Sequence, residues 1–207
     1  ALHKEEVQIS KKPKHFSMKK VEEFVQSFPY VCTPDQRKAI DDVLEDLSST
    51  KIMFRIIQGD VGCGKTMVAS TAFYAAYLSG CQSCFLAPTE ILARQHYENL
   101  KKQGLPVHLY VSGLSTREKK TILESLADGS ILLVVGTHAL FQEAVSFKNL
   151  GFVIVDEQQR FGVRQRRSLL EKGKAVDLLM MSATPIPRTA AHFLFGDLDV
   201  SNIKTMP

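Results

Sequence analysis

The stretch IMFRIIQGDVGCGKT, residues 52–66, decides the fold. It opens as an apolar run and ends in G-x-x-x-x-G-K-[ST], supplied by Gly59, Gly64, Lys65 and Thr66. The residues after it, MVASTAFYAAYL, read as a helix, so the motif sits between a strand and a helix N-terminus. In that setting the glycines let the backbone turn its N–H groups around phosphates. The lysine adds a point charge, and the threonine offers a hydroxyl to magnesium. Gly59, Asp60, Val61, Gly62, Cys63, Gly64, Lys65 and Thr66 are therefore candidate nucleotide-binding residues. A chance glycine-rich turn is the plainer alternative, and the flanking strand and helix argue against it.

Outward from this motif, short apolar runs alternate with amphipathic segments: SCFLA (83–87), VHLYV (107–111), ILLVV (131–135), FVIV (152–155) and LLMM (178–181). Continuous apolar runs imply strands buried on both faces, which requires helices above and below a mostly parallel sheet. The expected fold is doubly wound α/β. Ligands in such folds gather at the carboxyl ends of the strands, so the residues following each run are the ones to inspect. Upstream, Met18, Val21, Phe24, Val25 and Phe28 fall at helical spacing, and Pro29 ends that pattern. A second helix is predicted to start at Thr33-Pro34, with Ile40, Val43, Leu44 and Leu47 on one face. Residues 1 to about 17 are polar and Lys-rich and read as a linker or the tail of an upstream helix. The expected division is an extension over 1–27 and a nucleotide-binding domain over 28–207.

FVIV runs directly into Asp156, Glu157, Gln158 and Gln159, which puts two acids at the end of a strand that can lie beside the phosphate loop. Asp156 is suited to hold magnesium and Glu157 to orient or deprotonate the attacking water, since phosphoryl transfer asks mainly for positioning and charge stabilisation. Ahead of the loop, Thr33 and Gln36 lie where an amide is able to read an adenine edge as donor and acceptor; taken singly, Gln36 reads as an exposed helix residue. ATP and Mg2+ are the cofactors these residues imply.

The remaining composition excludes more than it assigns. No apolar run of about 18 residues or more appears, and the start ALHKEEVQISKKPKH carries charges where a signal peptide has its apolar region. A cytoplasmic protein without a membrane partner is expected. The net charge of +4 suits a polyanion and a soluble surface equally. Cys81 and Cys84 form a C-x-x-C pair without a second pair to complete a four-ligand site, so buried free thiols are expected over metal. The chain starts at Ala1 and stops at DLDVSNIKTMP, which reads as a piece of a longer protein.

The order of the motifs resembles the superfamily-two helicases, with a glutamine motif, phosphate loop, D-E-x-x box and S-A-T motif in that sequence over residues 28–207. GDVGCGKT, APTEILARQH, VVGTHALFQ, VIVDEQQRFGVRQR, SATPIPRT and DLDVSNI look like the RecG-like branched-DNA translocases. The resemblance implies a first RecA-like lobe of an ATP-dependent motor acting on double-stranded or branched DNA in repair and recombination. Its partners would be a second RecA-like lobe and a wedge domain of the same, monomeric parent. Thr89, Arg94, Gln95, Gly113, Thr137 and His138 fall, by resemblance, in motifs that line the nucleic-acid track. Each also has a local reading: Thr89 as a helix cap, His138 as a hydrogen-bonded interior residue. Gln159, Ser182, Thr184 and Arg188 fall in motifs that couple hydrolysis to the track, with Gln159 standing where RecG-like sequences usually have histidine.

Three other readings stay open on the residues. Transcription-repair coupling factors share TPIPRT and RFGV but usually continue the box as D-E-E-H. A nucleotide-binding switch would need no intact Glu157. A protein-remodelling P-loop ATPase has no evident use for SATPIPRT.

Overall fold

The computed structural model describes residues 10–156, 168, 171–185 and 198–204. Seven strands form one parallel sheet: β1 (Phe54–Gly59), β2 (Gln82–Leu86), β3 (Val107–Tyr110), β4 (Leu133–Gly136), β5 (Leu150–Asp156), β6 (Asp177–Ser182) and β7 (Asp199–Ile203). Their order across the sheet is β3-β4-β2-β5-β6-β1-β7, and every neighbouring pair is parallel. The helices are α1 (Met18–Gln26), α2 (Pro34–Ser48), α3 (Lys65–Leu78), α4 (Glu90–Lys102) and α5 (Thr116–Asp128), with a short 3-10 helix at His138–Phe141.

Burial on both faces is what makes the strand sequences continuous apolar runs. Along β5, Phe152 and Ile154 join the core under α1 to α4, whereas Val153 and Val155 join a second core on the other face. Along β6, Leu179 and Met181 alternate with Leu178 and Met180 in the same way. The offset of three residues sends Cys81 and Cys84 into opposite cores, so the two thiols cannot share one ion; burial also pushes the Cys84 thiol well up from its ordinary range.

α3 is apolar nearly all round, the signature of a helix covered on every side. Met67, Ala69, Ala72, Phe73, Ala75 and Ala76 are buried beneath α1 and α2 on one side and the sheet on the other. Its ring contacts continue outward, with Phe24 stacked on Tyr74 at 4.7 Å between centroids. α1 thus closes the core. Met18, counted on its apolar stripe, is instead 45% exposed at the helix start, one turn before the buried Val21.

From Ser10 onward the Lys-rich start packs against this domain. Ser10 bridges Lys51 in antiparallel fashion, and Lys11 and Lys14 turn inward. Lys11 Nζ donates to the carbonyls of Asp46 and Leu47, at the end of α2, and to Asp177 Oδ2 at 2.7 Å. Lys14 Nζ donates to the same Asp177 oxygen at 2.6 Å. A buried carboxylate and the orphan carbonyls of a helix end need donors, and the lysines supply them.

β7 has no counterpart among the apolar runs, because it is an edge strand with only Ser201 and Ile203 buried. It is held by Arg55, which interrupts the apolar run of β1. The guanidinium donates from Nε to Asp46 Oδ2 at 2.7 Å and from Nη1 to Ser201 Oγ at 3.0 Å. The strand bearing Asp156 is one removed from β1, with β6 between them. The α3 crossover carries the chain three strand positions away, and the later strands fill the gap. No helix among the described residues is long and apolar enough to cross a membrane.

Candidate nucleotide site and the rim beside it

The turn after β1 is built from the backbone. Cys63 N–H donates to Asp60 O and Met67 N–H to Gly64 O, both at 3.1 Å. Gly62 and Gly64 take φ of 85° and 89°, a region that L side chains rarely enter. Gly64 is also the N-cap of α3, where it brings no side chain to compete for the first-turn N–H groups. Those groups and the helix dipole suit an anion. Gly59 is constrained from outside: a Cβ there would strike Cys63 Sγ and lie 2.8 Å from the Ile203 carbonyl of β7. Lys65 Nζ donates to the carbonyls of Gly59 at 2.5 Å and Asp60 at 3.1 Å, so the charge lies over the mouth of the turn.

Thr33 and Gln36 support this loop from behind. They form a reciprocal cap at the start of α2: Gln36 N–H donates to Thr33 Oγ1, and Thr33 N–H donates to Gln36 Oε1 at 2.9 Å. Gln36 is fully buried, not the exposed helix residue its position alone suggests. Its Nε2 donates to the Cys63 carbonyl at 2.8 Å, and a Cβ on Gly64 would strike it. Both ends of the amide are engaged by the protein, which ties the start of α2 to the phosphate loop.

The strand register brings the rest of the site level with this turn. Gln58 pairs with Ser182 and Met181 with Asp156, so the carboxyl ends of β1, β6 and β5 are aligned. A cleft of about 380 Å³ opens there, lined by Tyr30, Val61, Gly62, Gly64, Lys65, Thr66, Asp156, Met181, Ser182 and Ala183. Thr66 and Asp156 bring a hydroxyl and a carboxylate to the one cleft, hard oxygen donors of the kind magnesium takes. Ser182 Oγ accepts from Thr184 N–H at 3.2 Å and donates to the Thr184 carbonyl at 3.0 Å, fixing the turn after β6. Glu157, Gln159 and Arg188 lie outside the described residues.

Three contributors were not singled out from sequence. Tyr30, 40% exposed at the cleft, was quoted within FPYVCTPDQ but given no role, although an aromatic beside a glutamine motif was a usable signal. Met181 is the last apolar residue of its run. His96 is the third: its ring nitrogen lies 2.7 Å from Asp156 Oδ2. Its place on the inner stripe of α4, three residues after the buried Ala93 and four before Leu100, was legible in the spacing.

The groups assigned to a nucleic-acid track gather on the same edge, after β2, β3 and β4. Thr89 is exposed and caps α4, accepting from Leu92 N–H. Arg94 and Gln95 are exposed on that helix. Arg94 pairs with Glu90 Oε1 at 2.9 Å, and Ser112 Oγ donates to the other Glu90 oxygen at 3.4 Å. Gly113 lies against the same carboxylate, where a Cβ would collide. Thr137 caps the 3-10 helix, and His138 stands exposed beside Phe141, so it is not an interior histidine. The turn after a parallel strand faces away from the core, which is why its side chain reaches solvent.

Comparison with known proteins agrees with this geometry. A family model described as DEAD/DEAH box helicase matches residues 33–193. The ATP-dependent DNA helicase RecG of Borreliella burgdorferi is 48% identical over 203 residues, covering 96% of this chain and 30% of that protein. RecG of Thermotoga maritima is 49% identical, with 94% and 26% covered. The chain thus spans between a quarter and a third of the length of these relatives. The solved structure of RecG bound to a three-way DNA junction superimposes with a TM-score of 0.84 at 45% identity, over 96% of this chain and 27% of that one. A DEAD-box helicase solved with ssRNA shares the fold at a TM-score of 0.68 and 18% identity, over 94% of this chain and 47% of that one. With its phosphate loop, aligned strand ends and RecG-like sequence over nearly its whole length, the chain belongs to the DEAD/DEAH box helicase family.

Proposed function

We propose that this chain is the first RecA-like lobe of a longer, monomeric, cytoplasmic parent that remodels branched DNA by ATP hydrolysis. The observation that carries the reading is that one edge of the sheet holds both the phosphate-loop cleft and a rim of exposed Thr89, Arg94, Gln95, Gly113 and His138 with half-buried Thr137. Similarity to RecG, solved on a DNA junction, supports branched DNA as the substrate.

In this reading the backbone N–H groups of residues 60–66 and the start of α3 bind the phosphates, with Lys65 Nζ leaving its own carbonyls for phosphate oxygens. Thr66 and Asp156 would hold magnesium, which when bound neutralises charge on the terminal phosphates. Glu157 orients the attacking water. Ser182, Thr184, Gln159 and Arg188 pass the change in the cleft to the rim. A second lobe of the parent contributes the arginine that phosphoryl transfer needs, and a wedge domain reads the fork. Residues 1–27 lead in from an upstream domain, with the part from Ser10 built into this lobe.

The test is ATP hydrolysis by the full-length parent with forked DNA, linear duplex or no DNA. Strong stimulation, greatest with the fork, is the expected result. Hydrolysis indifferent to DNA would remove the motor reading.

A further inference from the structure

Resting on the ATPase reading above, we infer that His96 is a positioning residue for Asp156, and that through it the DNA-facing helix α4 sets the geometry of the hydrolytic site. His96 Nε2 and Asp156 Oδ2 are 2.7 Å apart, and the two side chains are only 13% and 20% exposed. The imidazole is held from behind by Phe85, with ring centroids 4.6 Å apart. Phe85 is itself fully buried on β2, the strand that pairs with β5. The ring therefore has little freedom to follow Asp156 unless α4 moves.

The two residues before His96 point the other way. Arg94 and Gln95 are exposed on the outer face of α4, and Glu90, one turn earlier, gathers Arg94, Ser112 and Gly113. A nucleic-acid backbone that draws on Arg94 competes with Glu90 and pulls on the helix that carries His96. An α-helix transmits such a pull as a rigid body, and hydrogen bonds lose most of their strength once the heavy atoms are more than about 3.5 Å apart. From 2.7 Å, a displacement of roughly 0.8 Å at His96 is enough to release or re-aim the carboxylate. Asp156 has two oxygens, and the bond to one fixes where the other points into the cleft. Partners that orient a metal-holding group in this way are worth about 10- to 100-fold in metal affinity or activity.

The experiment uses His96→Phe, which keeps a ring against Phe85 and drops the nitrogen, and His96→Gln, whose amide nitrogen reaches about as far as Nε2. In the full-length parent, H96F should raise the Mg2+ concentration that half-saturates ADP binding by roughly tenfold or more. It should lower DNA-stimulated kcat by a similar factor, leave metal-free ADP affinity unchanged, and be largely rescued in H96Q. Wild-type Mg2+ dependence and DNA stimulation in H96F would overturn the inference. So would equal losses in H96F and H96Q, which would make the residue a packing element. Should H96F not fold, 15N-imidazole NMR of the wild type carries the test. His96 resonances should shift when Mg2+ joins bound ADP and again when DNA is added, and resonances indifferent to both would overturn the inference. Lys65→Ala separates the two layers. Undiminished ADP binding in K65A would remove the nucleotide reading itself and this inference with it, whatever the His96 variants do.

Discussion

Asp177 is the residue whose loss should be felt most in stability. Its carboxylate, fully buried, accepts from Lys11 Nζ, Lys14 Nζ and the Met53 N–H at 2.7, 2.6 and 2.7 Å. Two ammonium groups share one carboxylate, so the cluster already carries an excess positive charge, offset in part by the α2 carbonyls that Lys11 also reaches. Asp177→Asn keeps an acceptor for Met53 but turns the other oxygen into a donor facing two cations. Breaking a buried pair by removing one partner costs about 3–5 kcal/mol. For a chain of this size each kcal/mol is worth roughly 2–4 °C, so Tm should fall by roughly 6–20 °C.

The penalty should depend on pH. Burial already lowers the Lys11 pKa below its ordinary value, and Asp177 is the main group opposing that shift. Without Asp177 the folded-state pKa drops further below the unfolded one. Stability associated with such a group is present above the unfolded pKa and lost as pH falls through the folded one. The D177N deficit should therefore shrink as pH rises from 7 towards the ordinary lysine range. Lys14→Met, which leaves a one-to-one pair, should cost clearly less. Urea denaturation of the three proteins at pH 7 and 9.5 checks this. A D177N loss below about 1 kcal/mol, or a K14M loss as large as that of D177N, would refute the reasoning.

Lys65→Ala should weaken ATP by roughly 10- to 100-fold in calorimetry, the value of one charge-assisted hydrogen bond to phosphate. Gln36→Met leaves the Cys63 carbonyl and the Thr33 N–H without their partner; it should lose about 1–3 kcal/mol in urea and bind nucleotide more weakly, where an exposed helix residue would do neither. The 207-residue chain alone should bind nucleotide yet turn over roughly 10³-fold or more below the full-length parent if, as proposed, a second lobe supplies the arginine, and parent-like turnover would discard the two-lobe reading.

The sheet, its parallel sense and the phosphate loop were legible because each leaves a local mark. Burial on both faces makes an apolar run, and a left-handed backbone needs glycine. Five of the first six strands were found for that reason, and β3, the opposite edge strand, was found from VHLYV although His108 is exposed. β7 was not, since an edge strand held by Arg55 and Ser201 alternates polar and apolar and looks like a loop. Gln36 was misplaced for the opposite cause, and the burial of Lys11 and Lys14 was not read at all. Polarity alone points to solvent, whereas the partners of these residues, Cys63 and Asp177, lie 27 and more than 160 residues away in sequence. His96 shows the intermediate case: periodicity gives its face, but only the register of β5 beside β2 says that the acid waiting there is Asp156.

The two ends of the sheet divide the work of this lobe. At the amino ends of β1 and β6 lie Asp177, its lysines and the Met53 N–H, at the opposite end of these strands from the cleft. At the carboxyl ends lie the turn 59–66, Asp156 and Ser182, with exposed Val61 and positive-φ glycines that contribute little to packing. A site that must rearrange around phosphates cannot also be the part that holds the fold together, since its hydrogen bonds have to be exchanged on each cycle. The polar staple at the far end, together with the α1 to α3 layer, carries that burden. Variants at Lys65 or His96 should therefore alter binding and turnover with little change in unfolding midpoint, and variants at Asp177 should do the reverse. A D177N protein that is less stable yet binds Mg2+ADP normally below its unfolding transition, measured side by side with a K65A protein of unchanged stability, is the outcome this division requires; coupled losses in both would mean that the two ends of the sheet are one cooperative unit.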